Sequence, residues 1–225
     1  MHCFVEKTGS TNDDLLALAR DGAAEGLWLR AGRQSGGKGR QGRVWLSPPG
    51  NLYASTLVRL READPPAPTL ALVAAVALHE TAAIHASDRS LRIKWPNDLL
   101  LDGAKLAGIL LERSGDFVVI GFGVNLAARP EGLDRAAACL GPKVEAGALL
   151  ELLAKAFERW LGRWRGEGLA PVRAQWLAAA HPIATPLSTA GGDGLFDGLE
   201  PSGALRLRRR DGTIHIVHAG DVFLL

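Results

Sequence analysis

The chain has 225 residues, 47% of them hydrophobic and 22% charged, with a formal net charge of +2 at pH 7. This length suits one large domain, or a medium one with a small companion, and the composition is that of a globular chain rather than a disordered or fibrous one. The small charge gives no argument for nucleic acid, so any electropositive site must be local. Cys3 and Cys139 lack a metal-ligand spacing, and the N-terminus does not read as a basic leader with an apolar run. Two reduced thiols in a cytoplasmic protein are therefore expected.

Residues 2–6 read as a short strand, and Ser10-Thr11-Asn12-Asp13-Asp14 supplies a cap and early acidic charge for a helix that Gly22 stops. Residues 27–33 read as a strand. Six glycines between positions 32 and 50 then interrupt a basic, polar segment ahead of a strand at 52–60. Loops of that length inside a compact domain are usually functional lids or binding loops. Asp64-Pro65-Pro66-Ala67-Pro68 is a surface connection leading to an Ala/Leu/Val helix over 69–86, whose apolar run carries His79 and Glu80. It falls short of the about 20 apolar residues of a membrane span, so a buried helix and no membrane contact are expected.

Strand signals at 91–95, 99–102, 106–112 and 117–124 are separated by Pro-Asn-Asp, Asp-Gly and Ser-Gly-Asp turns, as antiparallel hairpins require. A helix over 145–165 presents Leu149, Leu152, Leu153, Ala156 and Trp160 as an apolar stripe. After His181-Pro182 the composition shifts to Gly, Thr and alternating residues, with Asp211-Gly212 as a hairpin signal. The expected architecture is α+β: a larger domain over 1–181 and a small β-barrel over 182–225.

The glycine loop imitates two phosphate-binding patterns. Gly32-Arg33-Gln34-Ser35-Gly36-Gly37-Lys38 satisfies most of a P-loop but has Gly39 where a Ser/Thr hydroxyl is needed, and no helix begins there. Gly37 to Gly42 spells G-x-G-x-x-G, again without the helix that a dinucleotide site needs. What survives is a flexible loop carrying Lys38, Arg40 and Arg43, able to wrap an anion with its main-chain N–H groups. Three further segments favour a phosphate clamp over a merely solvated basic loop. Lys94-Trp95-Pro96-Asn97-Asp98 places an ammonium, an amide and a carboxylate in one turn, where they can orient phosphate, base and metal. Lys105 begins an otherwise apolar strand and can point into a pocket. Gly121, Gly123 and Asn125 fall on one face of a strand, where two missing side chains would let a flat ligand approach the sheet. Ser10 and Thr11 have a structural use as a helix cap, which does not exclude contact with a small polar ring.

Taken in order and spacing, Ser10-Thr11-Asn12, the loop from Gln34 through Gly39-Arg40-Gln41-Gly42-Arg43 to Trp45, Lys94 to Asp98, Lys105 to Leu110 and Gly121 to Asn125 resemble biotin protein ligase. The likeness covers nearly the whole chain, with Gly203-Ala204-Leu205 and Gly220-Asp221-Val222 as C-terminal signatures. It implies a mixed β-sheet flanked by helices, of the class II aminoacyl-tRNA synthetase-like kind, followed by an SH3-like barrel. It also implies a two-step reaction through biotinyl-adenylate, with ATP and biotin as substrates, Mg2+ accompanying ATP, and a biotin carboxyl carrier protein as acceptor.

By position, Ser10, Thr11, Asn12 and Gln34 match residues around the bicyclic ring, with Gly121 and Gly123 on the same biotin-binding surface. Lys38, Gly39, Arg40 and Lys105 match those around the carboxylate and adenylate phosphate, with Arg40 and Lys105 in the catalytic roles. Arg43, Trp45, Lys94, Asn97, Asp98 and Asn125 fall in nucleotide motifs, and no metal ligand is assigned. Lys38 stands where many relatives have arginine, which keeps the charge and loses the bidentate fork. Some relatives begin with a helix-turn-helix repressor domain, whereas here the first catalytic strand starts essentially at Met1; no sequence-specific DNA binding is expected, and a homodimer is left open. Lipoate ligase is the nearest rival, sharing the glycine motif but not its continuation through Trp45 or the segment 94–98. A non-catalytic biotin or nucleotide sensor is opposed by the intact cationic motifs.

Overall fold

The computed structural model describes residues 1–130 and 136–225. Its first sheet has seven strands: β1 (His2–Thr8), β2 (Trp28–Gln34), β3 (Leu52–Arg59), β4 (Leu91–Lys94), β5 (Asp98–Leu101), β6 (Ala104–Ser114) and β7 (Phe117–Val124). They lie in the order β1-β2-β3-β7-β6-β5-β4. β1 and β2 run parallel, joined by helix α1 (Thr11–Arg20), and the other neighbours are antiparallel, so the sheet is mixed. The expected hairpins are present. Asp102 and Gly103 both take positive φ, 53° and 79°, the conformation of a tight two-residue hairpin turn that favours an Asp-Gly pair.

The strand period of two divides this sheet into working faces. On β7, Val118, Ile120, Phe122 and Val124 join the main core, while Val119 packs with Leu15, Ala19, Leu29 and Leu57 beneath α1. By the same alternation Gly121 and Gly123 share the face of α1. Helices α2 (Leu70–Ala86), α3 (Ala146–Glu167) and α4 (Ala170–Ala179) cover the opposite face. The segment Ala67–Ala86 is long and apolar enough to cross a membrane, but α2 packs against α3, α4, β4, β5 and β6. Its leucines are buried at Leu70, Leu72 and Leu78, each such burial stabilising by about 1.5–3 kcal/mol. Thr69 Oγ1 accepts from Trp164 Nε1 at 2.8 Å, fixing α3 to the start of α2.

The C-terminal strands are β8 (Pro186–Thr189), β9 (Gly192–Leu199), β10 (Leu205–Arg208), β11 (Ile214–Val217) and β12 (Val222–Leu224). They form a five-stranded antiparallel sheet in the order β11-β10-β9-β8-β12. The small β unit expected for this part is thus present as an antiparallel sheet, with β11 and β12 at the ends of its hydrogen-bonded order. Its apolar face is continuous with the main core through Leu187, Phe196, Leu199, Leu205, Leu207 and Val222. Trp95 Nε1 donates to Gly203 O at 3.2 Å across the junction.

Candidate functional site

A cavity of about 300 Å3 opens on the α1 face of the large sheet, where the glycine loop folds over β6 and β7 and meets the C-terminal sheet. Every site residue expected from the sequence lines it: Ser10, Thr11, Asn12, Gln34, Lys38, Gly39, Arg40, Arg43, Trp45, Lys94, Asn97, Asp98, Lys105, Gly121, Gly123 and Asn125.

One end is neutral and rich in hydrogen-bonding groups. Ser10 caps α1, its Oγ accepting from Asp13 N at 3.4 Å, which holds Thr11 and Asn12 at the mouth of the helix. Thr11 N donates to Gln34 Oε1 at 2.8 Å, so the end of β2 and the start of α1 are tied together. Asn12 Nδ2 donates to Glu112 Oε2 at 2.7 Å, and Ser55 Oγ lies 2.6 Å from Asn12 Oδ1 and 2.7 Å from Thr11 Oγ1. Ser55 and Glu112 were not expected from the sequence. Their alternation along β3 and β6 puts them on the site face, but nothing in either segment distinguishes them from ordinary strand positions.

The other end is cationic. Asp98 is buried between two ammonium groups, with Lys105 Nζ at 2.7 Å and Lys94 Nζ at 3.2 Å. Burial alone would raise its pKa, but the charges of Lys105 and Lys94 outweigh that and hold the carboxyl below its usual range. Among the described residues, two ammoniums thus share this one carboxylate. A second cluster repeats the pattern: Arg43 Nη2 lies 2.9 Å and Arg40 Nη1 3.8 Å from Asp221 Oδ1, and Arg40 Nη1 donates to Gly220 O at 3.2 Å. The sequence marked Gly220-Asp221-Val222 as a signature of the C-terminal part, not as part of the site; only folding brings Asp221 across to the loop. Asn97 Nδ2 donates to Ile109 O at 2.6 Å, while its Oδ1 accepts from Arg40 Nη1 at 3.4 Å.

The glycines differ from their expected use. A Cβ on Gly123 would stand 2.4 Å from Trp45 Cε2, one on Gly108 2.9 Å from Trp45 Cζ3, and one on Gly121 2.3 Å from Asn12 Oδ1. The flat groups lying on the bare sheet are thus the protein's own Trp45 indole and Asn12 amide. Lys105 Nζ sits 5.6 Å from the centre of the Trp45 ring, within range of a cation–π attraction. Two buried polar atoms lining this region, Trp45 Nε1 and Asn125 Oδ1, have no hydrogen-bond partner among the described residues. Lys38, which lines the cavity, pairs its ammonium with Asp13 at 2.6 Å. That hydrogen bond raises its pKa.

The loop itself is shaped without becoming a helix. Lys38 and Val44 form an antiparallel bridge around a single 3-10 turn, Arg40–Gly42, inside which Gln41 has a φ of 57°. This geometry accounts for the failure of both phosphate-loop patterns, which need a helix immediately after the glycines.

Comparison with known proteins identifies the family. The Biotin/lipoate A/B protein ligase family matches residues 5–125, which carry all the site residues named above except Gly220 and Asp221. The biotin–[acetyl-CoA-carboxylase] ligase of Paracoccus denitrificans is 39% identical over 98% of this chain and 99% of its own length. The enzyme of the same name from Mycobacterium tuberculosis is 34% identical, covering 97% and 86% respectively. Among solved structures, biotin protein ligase from Aquifex aeolicus in complex with biotin and ATP superposes with a TM-score of 0.87 over 100% of this chain and 99% of that one, at 24% identity. The chain therefore belongs to the biotin/lipoate A/B protein ligase family, and within it stands with the biotin protein ligases.

Proposed function

We propose that this protein joins biotin to ATP as biotinyl-adenylate and then transfers the biotinyl group to a lysine of a biotin carboxyl carrier protein, such as that of acetyl-CoA carboxylase. The observation that carries this reading is the polarity of one continuous cavity. Its neutral end offers Ser10, Thr11 and Gln34 to a small polar ring, and its cationic end offers Arg40, Arg43 and Lys105 to anions. Biotin is a polar bicyclic ring with a carboxylate at the end of an aliphatic chain, and it matches that order of groups.

In the first step a biotin carboxylate oxygen attacks the α-phosphorus of ATP. A phosphorus–oxygen bond forms, and pyrophosphate leaves with the electron pair of the bond that breaks. Both reactants are anions, so the cationic side chains of Lys105 and Arg40 lower their repulsion and stabilise charge on the crowded phosphorus. In the second step the neutral acceptor amine attacks the acyl carbon, AMP leaves, and the nitrogen sheds a proton. No protein nucleophile is required. Buried Asn125 Oδ1 and Trp45 Nε1 are an acceptor and a donor suited to the edges of the adenine base.

Magnesium accompanying ATP would be held mainly by phosphate oxygens and water, the usual arrangement for this cation. Asp98 is a poor ligand for it because both ammoniums already claim its carboxylate, and the described residues contain no cluster of three or more metal-binding side chains. We take the five-stranded C-terminal sheet as the counterpart of the SH3-like barrel of the resemblance, contributing Asp221 to the cationic end. The test is transfer: with Mg-ATP and biotin, a purified carrier domain should gain one biotinyl group on one lysine, and lipoate should not replace biotin. Modification by lipoate at equal rate would move the assignment to the other branch of the family.

A further inference from the structure

Behind the neutral end of the cavity runs an unbroken line of polar contacts. Asn12 Nδ2 lies 2.7 Å from Glu112 Oε2, Asn12 Oδ1 2.6 Å from Ser55 Oγ, Ser55 Oγ 2.7 Å from Thr11 Oγ1, and Thr11 Oγ1 3.1 Å from Gln34 Oε1. Ser55 is fully buried, and neither Ser55 nor Glu112 is among the residues that line the cavity.

The hydrogens along this line can be assigned from chemistry. A carboxylate only accepts, so Asn12 turns its amide NH2 to Glu112 and its carbonyl oxygen to Ser55. Gly121 leaves the space that this carbonyl occupies. The carbonyl also only accepts, which commits the single hydroxyl hydrogen of Ser55 to Asn12. The short contact between the two hydroxyls must then be bridged by the hydrogen of Thr11. No hydrogen is left for the contact between Thr11 Oγ1 and Gln34 Oε1, and Gln34 cannot rotate its amide to supply one, because its oxygen already accepts from Thr11 N at 2.8 Å. Three contacts share two hydrogens, and the longest goes without. Thr11 and Gln34, both lining the cavity, therefore present two acceptor oxygens side by side, which repel until a donor enters.

We propose that Glu112 and Ser55 are positioning residues that fix the Thr11 hydroxyl as a hydrogen-bond acceptor, so that this end of the cavity selects a substrate N–H. The donor on biotin is a ureido N–H, and this step rests on the proposed placement of the ring at this end. The low polarity around buried Ser55 strengthens each contact in the line, and a substrate that cannot donate leaves two oxygens facing each other without a hydrogen.

The experiment measures adenylation by the full-length protein with biotin and with an analogue methylated on the ureido nitrogens. The parent should prefer biotin strongly. Ser55→Ala and Glu112→Leu should each raise KM for biotin about 10-fold or more, the range expected when a buried hydrogen-bonding group loses its partner. Each should also narrow the preference over the methylated analogue, with KM for ATP and kcat changed less than about twofold. Glu112→Gln keeps an acceptor for Asn12 and should restore most of the affinity, which general destabilisation would not explain. Thr11→Val separates the two ideas. If it raises KM for biotin while Ser55→Ala and Glu112→Leu leave both KM and preference unchanged, the polarity relay is wrong and the ring placement stands. If Thr11→Val also has no effect, the ring placement itself fails.

Discussion

The two cationic groups at the reacting end differ in what holds them, and their substitutions should differ accordingly. Lys105 is anchored by a buried carboxylate, Asp98, whereas Arg40 rests on the carbonyl of Gly220 and lies farther from Asp221. A unit charge about 4 Å from another in an effective dielectric near 20 contributes a Coulomb term of about 4 kcal/mol, reduced by desolvation and side-chain ordering. Arg40→Gly removes the charge and loosens the loop, so adenylate should dissociate faster and label bystander lysines. Lys105→Ala should mainly slow single-turnover adenylation. An Arg40→Gly protein that retained adenylate like the parent would remove Arg40 from that role. Asp98 makes a separate prediction in pH. Its pKa is lowered in the folded state, so its stabilising contribution is complete above the ordinary carboxylate pKa of about 3.9 and is lost as pH falls through the lowered value. The melting temperature of Asp98→Asn, compared with that of the parent, should show a deficit that is largest at neutral pH and shrinks on acidification. A constant deficit would contradict the ionised, doubly paired carboxylate.

At the scale of elements, residues 35–45 are held by few main-chain bonds, among them Gly36 N to Gly9 O at 2.8 Å, Trp45 N to Gly37 O at 2.9 Å and Gly39 N to Arg43 O at 2.6 Å. Val44 is 75% exposed. Ordering of this loop by biotin or the adenylate should appear as slower amide exchange across 35–45, and unchanged protection would contradict a closing clamp. The strands and helices flanking it were largely legible, because alternation, turn pairs and capping residues are local signals. α4 was not read from the sequence: Pro171 in its first turn is a start signal, but the helix has no side-chain cap and follows α3 after only Gly168 and Leu169, so no cap residue marks it off. The order of the C-terminal strands was not legible either, since β12 pairs with β8 rather than with its chain neighbour β11, and no local pattern encodes that.

For the whole molecule, the site is a meeting of distant segments: α1 and β2 supply the neutral end, the loop, β4 and β6 the cations, and the residue before β12 Asp221. The residue types at each place could be read from the chain, as could their membership in one family pattern. Their partners could not, because Glu112 finds Asn12 across 100 positions and Asp221 finds Arg43 across 178. The same limit hid the Trp45 indole, which lies on Gly108 and on Gly123, the second of these being a position where the sequence left space for a ligand. Yet the groups needed for both substrates line one cavity within a single chain, so activation should need no acceptor. The most direct measurement incubates the purified, folded protein with Mg-ATP and labelled biotin alone and follows both biotinyl-adenylate and pyrophosphate. Adenylate should be retained on the protein, with one pyrophosphate released for each. Folded protein that binds biotin yet forms no adenylate and releases no pyrophosphate would contradict this expectation.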